Sequence, residues 1–390
     1  MHKKILITGG GSGGHISSAN SLIETLLDSY RIAVEDIVYV GGDLGMENEK
    51  PGNSLEQKLM SKKAFKSYFI RAGKLQRTFS LTTIKLLLRS ILGFIDSFKI
   101  LKSEHPDLVI STGGFVSVPV CIVSWLFKVP IFLHEQTASV GLSNKIVGVL
   151  SKKVYVSFKD SLKYFKEGKA IHVGNNVRKA IFKKDITEES NKEIVQLVNS
   201  KGELPFIYIS GGSLGSHILN MKVLKELTEL LEKYTVLLQT GDNQKLKEYD
   251  LATEYHSKLD ESLKKRFLPI KYIDENSIGY VLNSMDIFVG RSGANTVYEI
   301  GVLKKNALFI PIPWVTNNEQ YLNAKVLENI GTAKILEEKY LDSTTLCKEI
   351  ERLEEQLKIR YINEEKLESL FPINANSKMI EDIFSNEIRV

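Results

Sequence analysis

A short β-branched run, a glycine cluster directly behind it and then an amphipathic stretch: this chain writes that order four times, twice in each half. KKILIT leads into GGGSGGH (Gly9 to His15), DLVIST into GGFVSVP, PFIYIS into GGSLGSHILN, and MDIFVG into RSGANTVYEIG. Further runs of the same kind, DIVYVG, VPIFLH, KKVYVS, YTVLLQ and NALFIPI, are separated by helical stretches. Strands alternating with helices predict an α/β chain whose parallel sheets are covered on both faces. At 390 residues, two such domains are expected, because one core rarely serves so long a chain. The stretch from Lys183 to Glu203, rich in Lys, Glu, Asp and Asn, reads as a linker plus a surface helix.

Several classes are excluded early. The two cysteines, Cys121 and Cys347, are far apart and have no metal-ligand neighbours, which argues against a disulfide scaffold or a zinc site. MHKKILITGG passes from two lysines into a short apolar run and then glycines, so it reads as a first strand, not a signal peptide, and the chain reads as cytosolic. The apolar run from Phe115 to Leu133 is broken by Pro119, Lys128 and Pro130, as a buried helix plus strand would be, not a membrane span. Cut near Val177, the first part holds 23 Lys+Arg against 14 Asp+Glu, a net +9, and the remainder 29 against 33, a net −4. A basic half suits nucleic acid, an anionic lipid surface or a phosphorylated substrate. No recognised RNA or DNA module is present, so nucleic-acid binding is the weakest of these.

Glycine loops that close a strand and open a helix can aim backbone N–H groups at a phosphate. Gly9, Gly11 and Gly14 satisfy G-x-G-x-x-G, but the second strand ends in Gly41-Gly42 without the carboxylate that a dinucleotide ribose requires, which argues against an NAD-type oxidoreductase. The loop at Gly113 and Gly114 offers a second set of amides, and together the two loops suit a pyrophosphate; glycines needed only for tight turns remain the alternative for either loop alone. In RSGANTVYEIG the helix that opens carries Glu299 about a turn and a half in, where a carboxylate can accept both hydroxyls of a ribose. His15, at the start of the first phosphate-loop helix, is a candidate general base or acceptor-positioning group. His134 and Glu135, at the end of another strand, are its rivals for proton transfer.

GGGSGGH, ISTGGFVSVP, FLHEQTASVGLSNK, GNNVR, GGSLGSHILN, GRSGANTVYEI and NEQYLNA stand in the order, and near the spacing, of the motifs of the MurG family, which this chain resembles from its first strand to about Lys334. The resemblance implies a GT-B fold: two Rossmann-like domains facing a cleft, an acceptor and membrane-binding domain at 1–177, a UDP-sugar-binding domain at 178–370, and a C-terminal helix at 371–390 returning to the first. It implies inverting transfer of N-acetylglucosamine from UDP-N-acetylglucosamine to the C4 hydroxyl of the muramoyl sugar of lipid I, forming lipid II. No metal and no cofactor are implied, and no D-x-D pair is present.

Carried over by position, the donor pocket would use Arg178 and Ser213 near the diphosphate, Ile273 at the uracil, Ala294, Asn295 and Thr296 along the helix start, Glu299 on the ribose and Gln320 on the sugar. Ser12, Gly13, Gly14 and Thr137 would complete it, and Gly11, Gly113, Gly114 and Asn144 would hold the acceptor pyrophosphate. Two departures stand out: Thr137 occupies the asparagine position of HEQN, and Ser17 and Ser18 stand where a proline is usual. The resemblance also implies a peripheral protein on the cytoplasmic side of the cell membrane, a membrane partner of anionic lipid, and other cell-wall enzymes as partners. Between Lys62 and Lys102, cations interleave with Phe79, Leu81, Ile84, Leu87, Leu88, Ile91 and Phe94, and Phe79, Lys74 and Arg77 are expected to face lipid. The alternatives are another lipid-directed enzyme of the same fold, such as a diacylglycerol glycosyltransferase, and a non-catalytic nucleotide-binding protein, which would have lost Glu299, Gln320 or His15.

Overall fold

Ile5, Leu6 and Ile7 have no exposed surface. Ile5 and Ile7 enter one hydrophobic core and Leu6 another, which is why the first strand reads as a continuous apolar run: a parallel strand covered on both faces has no solvent side to mark with polar residues. Burial of each such side chain contributes about 1.5–3 kcal/mol. The computed structural model describes residues 3–11, 13–44, 54–73, 81–212, 214–359 and 363–387. It divides into two units, Met1–Asn176 with Leu370–Val390, and Val177–Ser369.

Among the described residues the first unit holds seven strands, β1 (Ile5–Gly9), β2 (Ile37–Gly42), β3 (Lys66–Ile70), β4 (Leu108–Gly113), β5 (Ile131–Glu135), β6 (Lys153–Val156) and β7 (Ala170–His172), in the order β3-β2-β1-β4-β5-β6-β7. Every pairing is parallel. One face is covered by α1 (Gly13–Asp28), the short α2 (Leu55–Met60) and the C-terminal helix Ala375–Glu387, whose Met379, Ile380 and Ile383 are fully buried there. The other face is covered by α3 (Leu81–Glu104), α4 (Ser117–Leu126) and α5 (Leu142–Leu150). The run from Phe115 to Leu133 thus divides into α4 and most of β5. Among the described residues no helix is long and apolar enough to cross a membrane.

The second unit repeats the scheme with β8 (Phe206–Ser210), β9 (Thr235–Gln239), β10 (Phe267–Ile270), β11 (Ile287–Gly290), β12 (Asn306–Phe309) and β13 (Ala333–Ile335), ordered β10-β9-β8-β11-β12-β13 and again all parallel. The stretch 183–203, read from sequence as a linker plus a surface helix, lies inside this unit, which begins at Val177. Its helix Lys192–Asn199 is capped by Asn191, whose Oδ1 accepts from Glu193 N and Ile194 N, and it buries Ile194, Leu197 and Val198.

Candidate active site

All four glycine loops leave their sheets where strand order reverses, between β1 and β4 in the first unit and between β8 and β11 in the second. Open α/β sheets bind ligands outside the strand ends at such reversals.

The two first-unit loops are interlocked. Gly114 has φ +90°, and a Cβ there would lie 2.1 Å from Gly10 O, so glycine is required on both counts. The Gly10 amide donates to Gly113 O at 3.2 Å. The other amides are also committed: Gly11 N–H to Glu56 Oε2 (3.3 Å), Gly113 N–H to Ser111 Oγ (3.1 Å) and Gly114 N–H to Asn144 Oδ1 (3.2 Å). Gly11, Gly113, Gly114 and Asn144, expected from the resemblance at an acceptor pyrophosphate, are thus tied to one another and to Glu56 and Ser111 within the unit. Buried backbone donors find partners, and these bonds shape the two loops. The first turn of α1 supplies Gly13, Gly14 and His15, and the opening amides of a helix have no intrahelical acceptor. Ser12 lies outside the described residues.

His15 is partly buried, and its Nδ1 lies 2.8 Å from Thr112 O. A carbonyl only accepts, so Nδ1 carries the hydrogen and Nε2 of the neutral ring is left as an acceptor. Burial holds the imidazole below its ordinary pKa, opposed by the bond to Thr112. A neutral ring with a bare Nε2 is the form a general base needs.

The rivals are placed differently. His134 has no exposed surface; its Nε2 donates to Gly174 O at 2.9 Å, and burial lowers its pKa to about 4. Glu135 is also buried, which raises its pKa. Its Oε1 accepts from Thr137 N (2.8 Å) and Thr137 Oγ1 (2.7 Å), and its Oε2 from Asn144 Nδ2 (2.8 Å). The chain of contacts from Glu135 through Asn144 to the Gly114 amide braces the second glycine loop. His134 and Glu135 are thus enclosed, whereas His15 is partly exposed, and Thr137 is held by Glu135.

In the second unit, Gly215 has φ +73°, and a Cβ there would meet Thr240 O at 1.9 Å, so the loop after β8 packs directly on the end of β9. Arg291, almost wholly buried, ties this loop to its neighbours: its guanidinium donates to Ser216 Oγ (2.8 Å) and Ile310 O (2.9 Å) and pairs with Glu338. Neither Arg291 nor Glu56 was singled out by the sequence. The only mark of Glu56 is indirect, a glycine at both Gly10 and Gly41, where its carboxylate fills the space of a side chain.

Behind β11 the helix Ala294–Val302 opens with Ala294, Asn295 and Thr296, all partly exposed, and carries Glu299 at its buried side. Both Glu299 oxygens are engaged by Arg178, Nε to Oε1 at 2.7 Å and one terminal nitrogen to Oε2 at 2.8 Å. That carboxylate raises the Arg178 pKa further. Gln320 accepts from Ile312 N through Oε1 (3.1 Å), which leaves its NH2 end as the donor. Ile273, just beyond β10, is partly exposed, between the exposed Tyr272 and Asp274. Ser213 lies outside the described residues.

Two parallel-sheet units of Rossmann strand order, each with its glycine loops at the reversal, define the two-domain GT-B class of enzymes that handle sugar nucleotides. Residues 5–156 match the glycosyltransferase family 28 N-terminal domain and residues 206–378 the glycosyltransferase family 28 C-terminal domain, and the chain belongs to glycosyltransferase family 28. It is 33% identical over 364 residues, 93% of each chain, to a protein of Clostridium botulinum (strain Langeland) named UDP-N-acetylglucosamine--N-acetylmuramyl-(pentapeptide) pyrophosphoryl-undecaprenol N-acetylglucosamine transferase. Its fold is similar to that of Acinetobacter baumannii MurG, with a TM-score of 0.68 at 21% identity over 98% of this chain and 99% of that one. It is also similar to a UDP-GlcNAc 2-epimerase from Neisseria meningitidis, with a TM-score of 0.66 at 15% identity over 98% and 100%. The architecture alone therefore does not separate a transferase from an epimerase; sequence similarity to the named transferase does.

Proposed function

We propose that this protein transfers N-acetylglucosamine from UDP-N-acetylglucosamine to the C4 hydroxyl of the muramoyl sugar of lipid I, giving lipid II for peptidoglycan synthesis. The reading is carried by similarity to the named transferase across 93% of the chain, and the site supports it. Glu299 takes the ribose hydroxyls, Arg178 and Ser213 the diphosphate, Ile273 the uracil, Gln320 the sugar, and Ala294, Asn295 and Thr296 the open helix end. His15 Nε2 removes the C4 hydroxyl proton as that oxygen attacks the anomeric carbon; the bond from that carbon to the β-phosphate oxygen breaks, its electron pair leaves with UDP, and the configuration inverts. The test is label transfer from UDP-N-acetylglucosamine to a short-chain lipid I analogue in EDTA. Labelled lipid product is expected; bound donor without transfer to this acceptor would redirect the search to diacylglycerol.

The acceptor carries a polyprenyl tail, and the first unit offers a face for the surface that holds it. On α3, Ile91, Ile95 and Phe98 lie on one exposed stripe. Phe98 meets Phe127, just beyond α4, edge to face at 5.3 Å, and Trp125 and Leu126 stand exposed beside it. On α5, which packs against α4, Val149 is 77% exposed in line with Leu142 and Ile146. Lys99 and Lys102 on α3, Lys145 on α5 and Lys128 in the turn after α4 lie exposed, and apolar groups among cations suit an anionic bilayer interface on the cytoplasmic side. Phe79, Lys74 and Arg77, expected from sequence to meet lipid, lie outside the described residues. Replacing Phe98 and Trp125 together with serine is expected to lower co-sedimentation with phosphatidylglycerol vesicles about tenfold or more, since each aromatic contributes about 1.5–3 kcal/mol when fully buried. Unchanged co-sedimentation would move the contact elsewhere.

A further inference from the structure

Glu56 has no exposed surface, yet its carboxylate lies at the tips of two strands. Oε1 accepts from Tyr39 Oη (2.6 Å) and from the Gly42 amide at the end of β2 (3.2 Å), and Oε2 accepts from the Gly11 amide in the loop after β1 (3.3 Å). Its delivery is built in: Ser54 caps α2 by accepting from Gln57 N and donates its hydroxyl to Gly42 O, fixing the helix entry against β2. Cβ atoms on Gly10 or Gly41 would each fall 2.2 Å from Glu56 Oε1. Two glycines that look like ligand-binding residues are therefore glycines because a carboxylate from α2 occupies their space. Tyr39 Oη also lies 2.6 Å from Gly9 O, so the same network grips the loop at Gly9 and Gly11, just ahead of α1 and His15.

We infer that Glu56 is a positioning residue for the acceptor side of the reaction: it holds the first glycine loop, and with it the start of α1 and His15, in the geometry used for transfer. This rests on the transferase reading above. Glu56 acts through the loop, because its carboxylate is enclosed and engaged by protein donors that include Tyr39, Gly42 and Gly11. Glutamine keeps its size but turns an N–H2 toward one of those donors, so a loop amide loses its acceptor.

The test is steady-state kinetics of Glu56→Gln and the milder Tyr39→Phe beside the unaltered enzyme, with thermal melts to fix an assay temperature at which each is folded. Glu56→Gln is expected to lower kcat about 10- to 100-fold and Tyr39→Phe about threefold. The KM for UDP-N-acetylglucosamine should stay within about twofold in both, since Arg178, Glu299 and Gln320, which take most of the donor in that reading, belong to the second unit. A general loss of structure does not produce that split. Folded Glu56→Gln with unchanged kcat overturns the proposal, as does a rise in donor KM that matches the fall in kcat. If Glu56→Gln does not fold, Tyr39→Phe decides alone: unchanged kcat in that variant overturns it. Absence of transfer by the unaltered enzyme removes the transferase reading itself, and this proposal with it.

Discussion

Glu299→Ala is expected to cut kcat/KM for UDP-N-acetylglucosamine about 100-fold, chiefly by weakening donor binding. The carboxylate is 10% exposed and held in a two-pronged pair by Arg178. Each carboxylate oxygen has two acceptor sites; Arg178 uses one on each, and on the proposed reading the remaining pair accepts from a ribose diol. Hydrogen bonds to a charged group contribute about 1.5–3 kcal/mol each, so losing two of them, offset in part by water that fills the gap, leaves about 3 kcal/mol, or roughly two decades of affinity. Arg178→Ala should cost less, about tenfold, because the guanidinium is 37% exposed and partly screened. The double variant should fall short of the product of the two, as residues in one network are not additive. Calorimetric titration of UDP into the three variants measures this directly; an unchanged UDP affinity in Glu299→Ala would take the ribose away from that residue.

The sequence shows the interior of each sheet and hides its edges. KKILIT, DIVYVG, DLVIST, VPIFLH and KKVYVS are β1, β2, β4, β5 and β6, and PFIYIS, YTVLLQ, MDIFVG and NALFIPI are β8, β9, β11 and β12. What sequence patterning passed over was β3, β7, β10 and β13, which are the four outermost strands. An interior parallel strand is enclosed on both faces and reads as an apolar run. An edge strand is short and partly wet: β3 is KSYFI with Lys66 exposed, β7 is the three residues AIH, and β10 contains Pro269, which an edge tolerates.

The site was legible in the same partial way. Strand-end glycines located all four loops, because close backbone packing leaves a compositional trace. What the loop amides are bonded to left none. Glu56 is 45 residues from Gly11, and Asn144 is 30 from Gly114; nothing local in GGGSGGH or STGGF distinguishes an amide awaiting phosphate from one already taken by a side chain. Arg291 was hidden for the same reason, since its partners Ser216, Ile310 and Glu338 are brought to it only by the sheet. Adjacent residues at a strand tip look equally available in sequence, whereas His134 and Glu135 are both enclosed.

His15→Ala is expected to lower kcat by about 10²- to 10⁴-fold, the range that a positioned general base supplies, while leaving the KM for UDP-N-acetylglucosamine within a few-fold. The donor residues Arg178 and Glu299 lie in the other unit, so a loss confined to kcat separates proton removal from donor binding. The pH profile carries the sign. Burial favours the neutral imidazole and places its pKa below the ordinary 6.5, so the base form persists to lower pH than a free histidine would allow. The acid limb of kcat/KM should therefore lie below 6.5, with a flat profile through neutrality, and it should vanish from the residual activity of His15→Ala. His134 does not produce that limb, since its ring is enclosed and its Nε2–H is committed to Gly174 O; at most it adds loss of folding as pH falls from 6.5 toward about 4, because the unfolded chain binds the proton that the folded one refuses. A thermal melt at each pH separates the two. An acid limb that survives in His15→Ala, or a fall in kcat of less than about tenfold, would move the base to another group and leave His15 as a support for Thr112.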